Sequence, residues 1–98
     1  MSRPNLLSSD EIQIGMKNIP DWILDENKIV KEVICSNFAS AIGLINSIAV
    51  FAESADHHPN ILIYGWNKVR VSLFTHDKGG LTSLDFDLAK KIDSIKIY

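Results

Sequence analysis

The sequence predicts an α+β fold, a four-stranded antiparallel sheet with three helices packed on one face, in the order α-β-β-α-β-β-α. Three observations lead there. Two pairs of strand-like runs are each joined by a short turn, which is the mark of hairpins and therefore of antiparallel pairing. One stretch beginning at Phe38 spaces its apolar residues by three and four, as a helix with one buried face requires. Helix-start patterns stand near both ends of the chain, at Ser8 and at Thr82. Three amphipathic helices shield one sheet face if they segregate there, and the other face is left to polarity, a partner or a site.

The elements follow in order. In Leu7-Ser8-Ser9-Asp10-Glu11-Ile12 the Ser8 hydroxyl can accept from the Glu11 N–H, Glu11 can reach back, and Leu7 can pack on Ile12. The first helix is expected to run to about Asn18, ahead of the turn at Pro20. Trp22-Ile23-Leu24 and Lys28 to Cys35 flank the polar Asp25-Glu26-Asn27 and form a hairpin with imperfect alternation. The long helix starts at Phe38 with Ser36 or Asn37 as its cap, and Phe38, Ala41, Ile42, Ile45, Ile48, Ala49 and Ala52 form its predicted inner face. Pro59 closes the following loop. Ile61 to Tyr64 and Lys68 to Thr75 make the second hairpin around Gly65-Trp66-Asn67. Val69, Val71 and Leu73 share one face of that last strand, and Arg70, Ser72, Phe74 and His76 share the other, which places His76 away from the core. Thr82 caps the third helix, with Asp85 at its third position and Leu81 able to pack on Phe86. Trp22 and Trp66 are expected to be packing residues. Ile95-Lys96-Ile97-Tyr98 alternates like a strand, and it could equally extend the last helix.

Composition narrows the function. The 98 residues are 46% apolar and 22% charged, which suits a single domain spanning 1–98. Ten basic against twelve acidic residues leave a formal charge of −2, so there is no positive field to hold a phosphate backbone, and direct nucleic-acid binding is not expected. No uninterrupted apolar run reaches the ~20 residues that cross a bilayer, so no membrane partner is expected. The Met1-Ser2-Arg3-Pro4-Asn5 opening has no secretory character, and the single Cys35 cannot form an internal disulfide. These features lead to the expectation of a soluble cytoplasmic protein.

All three histidines lie in two short segments, Asp56-His57-His58-Pro59 and Phe74-Thr75-His76-Asp77. Imidazole, with an unperturbed pKa of about 6.5, exchanges protons near neutrality, so a site that moves protons twice would use several. Loops at the ends of rigid elements are common mounts for such groups. Pro59 holds His58 extended, and adjacent extended residues point their rings to opposite sides, one able to touch a ligand and the other to support it. Three imidazoles could also be a zinc shell, but diverging neighbours and the lack of His-x-His or His-x-x-x-His spacing argue against a metal. Asp85 has a structural role as a helix-start carboxylate and could orient a histidine as well. Glu53 stands one turn before the histidine pair.

Ala52-Glu53, Asp56-His57-His58-Pro59, Trp66-Asn67-Lys68-Val69, Thr75-His76, Gly80-Leu81-Thr82, Asp85-Phe86 and Leu88-Ala89 together resemble the pterin-4a-carbinolamine dehydratases. The resemblance spans Ser8 to Asp93, departs from the family at Asn60 to Gly65, and is specific in its combined spacing. It implies dehydration of a 4a-hydroxytetrahydropterin to a quinonoid dihydropterin plus water, in tetrahydrobiopterin recycling, with no metal or organic cofactor. It implies His57 and His76 as proton donors, His58 as the residue that places substrate, and Asp85 as the group that orients a histidine. Glu53, Asp56, Pro59, Phe74, Thr75 and Asp77 would surround the pterin, with Phe74 as a wall. It also implies a homodimer or homotetramer, and leaves a second possibility of another class: a non-catalytic dimerisation cofactor or adaptor of the same fold.

Overall fold

A computed structural model describes residues 4–96 of the chain. The element order is α1 (Ser9–Lys17), β1 (Ile23–Asp25), β2 (Lys28–Ile34), α2 (Phe38–Ala55), β3 (Asn60–Tyr64), β4 (Lys68–Leu73), a single 3-10 turn at His76–Lys78, and α3 (Ser83–Asp93). The sheet is antiparallel throughout, in the order β1-β2-β4-β3. This is the α+β architecture and element order that the sequence predicts. The alternation at Ile97-Tyr98 lies outside the described residues, and α3 ends at Asp93.

Both predicted capping boxes form. Ser8 Oγ accepts from Glu11 N at 3.2 Å while Glu11 Oε1 accepts from Ser8 N at 2.8 Å. Of the two candidate caps of α2, Asn37 serves, its side chain accepting from Ser40 N at 2.7 Å.

The two central strands set the core face by their register. Ile29 lies opposite Leu73, Lys31 opposite Val71, and Val33 opposite Val69. All six are buried, beneath α2 and α3. The imperfect alternation of β2 now has its reason: the middle core-facing position is a lysine. Lys31 Nζ reaches Asp93 Oδ1 at 2.7 Å, and Trp22 Nε1 donates to the same oxygen at 2.9 Å, so the charge is paired rather than exposed. Glu32, Ile34 and Arg70 face outward on the open side of the sheet.

Two expectations change. The buried stripe of α2 is Ala41, Leu44, Ile48 and Ala52, whereas Phe38, Ile42 and Ala49 are exposed. A helix so apolar offers more than one stripe at three-and-four spacing, and only packing against the sheet and α3 selects among them. That helix is, by length and composition, apolar enough to cross a membrane. Its inner stripe belongs to the same apolar cluster as the sheet's core face. Trp22 packs as expected, at 3% exposure, but Trp66 stands 61% exposed, with its backbone at φ 59 in the β3-β4 turn beside Gly65 at φ 53. A tight hairpin turn with two consecutive left-handed residues points the second side chain to solvent here.

Candidate active site

Three pieces of backbone carry the predicted residues, and hydrogen bonds join His57, Thr75 and Asp85 among them. The first is the end of α2. Asp56 takes the left-handed conformation (φ 50, ψ 44) as the helix cap, a geometry that Asp tolerates better than most residues. His57 N then donates back to Ala52 O at 3.1 Å, which closes the helix and fixes the backbone of the histidine. From there the two side chains enter different surroundings. His57 is buried, whereas His58 is exposed and pairs its Nε2 with Glu53 Oε1 at 2.8 Å.

The second piece is the segment after β4. The strand ends at Leu73, two residues earlier than predicted, although parity persists as far as the buried Thr75. Thr75 N donates to Gly80 O at 2.8 Å, and the loop between them folds into the 3-10 turn that begins at His76 and closes at Gly79, φ 72. His76 is exposed through this turn rather than through strand parity, and its ring meets Phe74 edge-on, with centroids 5.7 Å apart. Asp77 lies in the same exposed turn, and Pro59 is half-buried after His58.

The third piece is the start of α3, where Asp85 is fully buried. Its Oδ1 lies 2.6 Å from His57 Nε2. Its Oδ2 accepts from Thr75 Oγ1 at 2.9 Å and from Thr82 N at 2.9 Å. Thr75 Oγ1 and Thr82 Oγ1 are themselves 2.7 Å apart. One carboxylate thus binds the histidine of the first segment and the residue immediately before His76 in the second, although the three pieces are far apart in sequence.

The family resemblance sets Thr75 among the residues around the pterin. It is fully buried, its hydroxyl engaged by Asp85 and Thr82, so it reaches a ligand only through those groups. Thr82, a helix cap by its sequence pattern, also belongs to this cluster through its hydroxyl. The Thr82-x-x-Asp85 spacing signalled the pair, but nothing local announced Thr75 as a third partner. Among the described residues no three His, Cys, Asp or Glu side chains are gathered as a metal shell.

The fold is a small α+β scaffold with a buried imidazole–carboxylate pair between the end of α2 and the start of α3. The description "Pterin 4 alpha carbinolamine dehydratase" matches residues 5–95, and the chain belongs to that family. Two relatives carry the family's name. The chain is 46% identical over 89 residues to one from a Picosynechococcus species, covering 91% of this chain and 96% of the relative. It is 47% identical over 89 residues to one from Chloroflexus aurantiacus, covering 91% and 95%. Among solved structures, a transcriptional coactivator/pterin dehydratase from Brucella melitensis superposes with a TM-score of 0.87 at 29% identity, covering 92% of this chain and 97% of that one. A pterin dehydratase-like protein described as a RuBisCO assembly factor in the alpha-carboxysome shares the fold, with a TM-score of 0.60 at 19% identity over 74% of this chain and 83% of that one.

Proposed function

We propose that this protein, acting as one domain, is a hydro-lyase that converts a 4a-hydroxytetrahydropterin to the quinonoid dihydropterin and water, in tetrahydrobiopterin recycling. The observation that carries the reading is the buried His57–Asp85 pair, in a chain whose family is the pterin carbinolamine dehydratases. The C4a–O bond breaks with its electrons going to oxygen, which takes up a proton and leaves as water. The N5 lone pair forms the new C=N bond, and the N5 proton is then lost. The net change is the loss of water, with no electron acceptor needed, so general acid and base groups suffice.

His57 and His76 are the proton-transfer groups, each serving a different position on the substrate. His58, paired with Glu53, places the ring system. Asp85 holds His57 in its working orientation, as a carboxylate does for an imidazole in other sites. Phe74, set against His76, supplies an apolar wall, with Asp56, Pro59 and Asp77 around the substrate. Thr75 acts through Asp85.

The test is turnover, followed by the absorbance of the quinonoid product. His57→Ala and His76→Ala should each keep the circular dichroism of the parent and lower the dehydration rate by about 10²–10⁴-fold, with the double variant near the uncatalysed rate. Full activity in the double variant ends the assignment.

Exposed Ile34, Phe38, Ile42 and Val50 and the open edge of β3 support assembly as a homodimer or homotetramer. Sedimentation showing a monomer at micromolar concentration would remove that part. A lone cysteine kept as a buried thiol suits a reducing compartment, and we place the protein in the cytoplasm. The Brucella melitensis relative is described as a coactivator as well as a dehydratase, which keeps an adaptor role as the second reading. Turnover by the isolated chain favours the enzyme. A stoichiometric protein partner without turnover favours the adaptor.

A further inference from the structure

We propose that the Thr75–Thr82 hydroxyl pair is a positioning element that decides which ring nitrogen of His57 carries the proton, so that Nε2–H faces Asp85 and Nδ1 is the exchanging nitrogen. The inference deepens the dehydratase reading and rests on His57 as a proton-transfer group.

A capping box alone needs only Thr82 and Asp85. Here two further groups converge on the same carboxylate, and hydrogen counting assigns each proton once. Thr82 N can only donate, so Asp85 Oδ2 accepts from it at 2.9 Å. Thr75 donates its single hydroxyl hydrogen to the same oxygen at 2.9 Å. The 2.7 Å contact between the two hydroxyls must then be Thr82 donating to Thr75, because Thr75 has no second hydrogen. Thr82 Oγ1 in turn accepts from Leu84 N at 3.2 Å.

Oδ2 is therefore served by two donors, and Asp85 sits in the first turn of α3, where the positive end of the helix favours an anion. Held as a carboxylate, it can only accept at Oδ1. His57 Nε2, 2.6 Å away, is the donor. The neutral ring then carries its lone pair on Nδ1, and that atom takes up a proton and returns it while Asp85 stabilises the charged ring. Without the Thr75 hydroxyl the carboxylate loses one of its two donors at Oδ2. With one proton taken up from solvent, Asp85 then donates to Nε2 while the ring hydrogen sits on Nδ1, which inverts the working face of the imidazole.

The experiment is a two-bond ¹H–¹⁵N correlation on the ¹⁵N-labelled full chain, which reports the tautomer of each neutral histidine directly. Expected are a protonated Nε2 for His57 in the parent, loss of that signature in Thr75→Val, and its return in Thr75→Ser. A parent spectrum with His57 protonated at Nδ1 overturns the proposal, as does a folded Thr75→Val with the parent's tautomer. If Thr75→Val does not fold, the parent spectrum decides alone. Kinetically, Thr75→Val should lower kcat while KM holds, since the relay touches no substrate. The spectrum is independent of turnover, so an intact Nε2–H signal without dehydration would remove the dehydratase reading, and with it Nδ1 as the exchanging nitrogen, while the assignment of the ring proton to Nε2 stands.

Discussion

His57 and Asp85, 28 residues apart in sequence, meet with Nε2 and Oδ1 2.6 Å apart at a point where the carboxylate has no exposure to solvent. The contact ties the end of α2 to the start of α3. It belongs to the fold whatever its part in the proposed chemistry, because the same carboxylate closes the α3 capping box.

Removing that carboxylate should therefore be costly. Asp85→Ala strands the donors Thr75 Oγ1, Thr82 N and His57 Nε2 in a dry interior and removes a cap. The expected loss is about 3 kcal/mol or more, since each unmet buried donor costs about 1–3 kcal/mol. At about 4–8 °C per kcal/mol for a chain of this size, Tm falls by at least about 12 °C. A calorimetric shift of only a few degrees would show that the cluster contributes little to stability.

Lys31 and Asp93 offer a second contrast. Asp93→Ala leaves an almost fully buried ammonium and the Trp22 indole N–H without their shared acceptor, and should destabilise by about 2–4 kcal/mol. Lys31→Met replaces the charge with an apolar side chain of similar length and should cost less than about 1 kcal/mol, because burying the ion is itself unfavourable. Urea midpoints of the two variants decide the point, and the reverse order of stability would refute it.

Gly15 inverts the usual rule for helices. Exchanging a helical glycine for alanine normally gains about 0.5–1 kcal/mol. Here a Cβ would sit 2.8 Å from Phe86 Cε1 and 2.9 Å from Phe86 Cδ1. Since Phe86 is packed into the core, Gly15→Ala should destabilise by about 1–3 kcal/mol. The penalty should shrink when Phe86→Leu is added, with a coupling of about 0.5–3 kcal/mol in a double-mutant cycle. Strict additivity would show that the ring yields freely.

Burial raises the pKa of the Cys35 thiol above its ordinary value. The folded chain then holds this proton to higher pH than the unfolded chain. The stabilisation is complete below the unfolded thiol pKa of about 8.5 and is lost as pH rises through the folded value. Cys35→Ala should flatten that decline in urea midpoint above pH 8.5. In the parent, labelling by a thiol reagent at pH 8 should be slower than in the urea-unfolded chain by ~10-fold or more.

The sequence by itself determined the hairpins, the order of elements, both capping boxes and the start of α2 at Phe38. Those features depend on contacts within a few residues, which spacing and turn chemistry reveal directly. Tertiary structure alone decided which stripe of α2 faces inward, that Lys31 lies on the core face against Asp93, and that Trp66 turns outward. It also decided that His57, Thr75, Thr82 and Asp85 join in one set of hydrogen bonds. The two histidine segments stand out singly in the sequence, but the link from His57 to Thr75 through Asp85 depends on how the helices settle on the sheet. That settling is governed by burial and by the satisfaction of buried polar groups across long stretches of chain, which leave no local pattern to read.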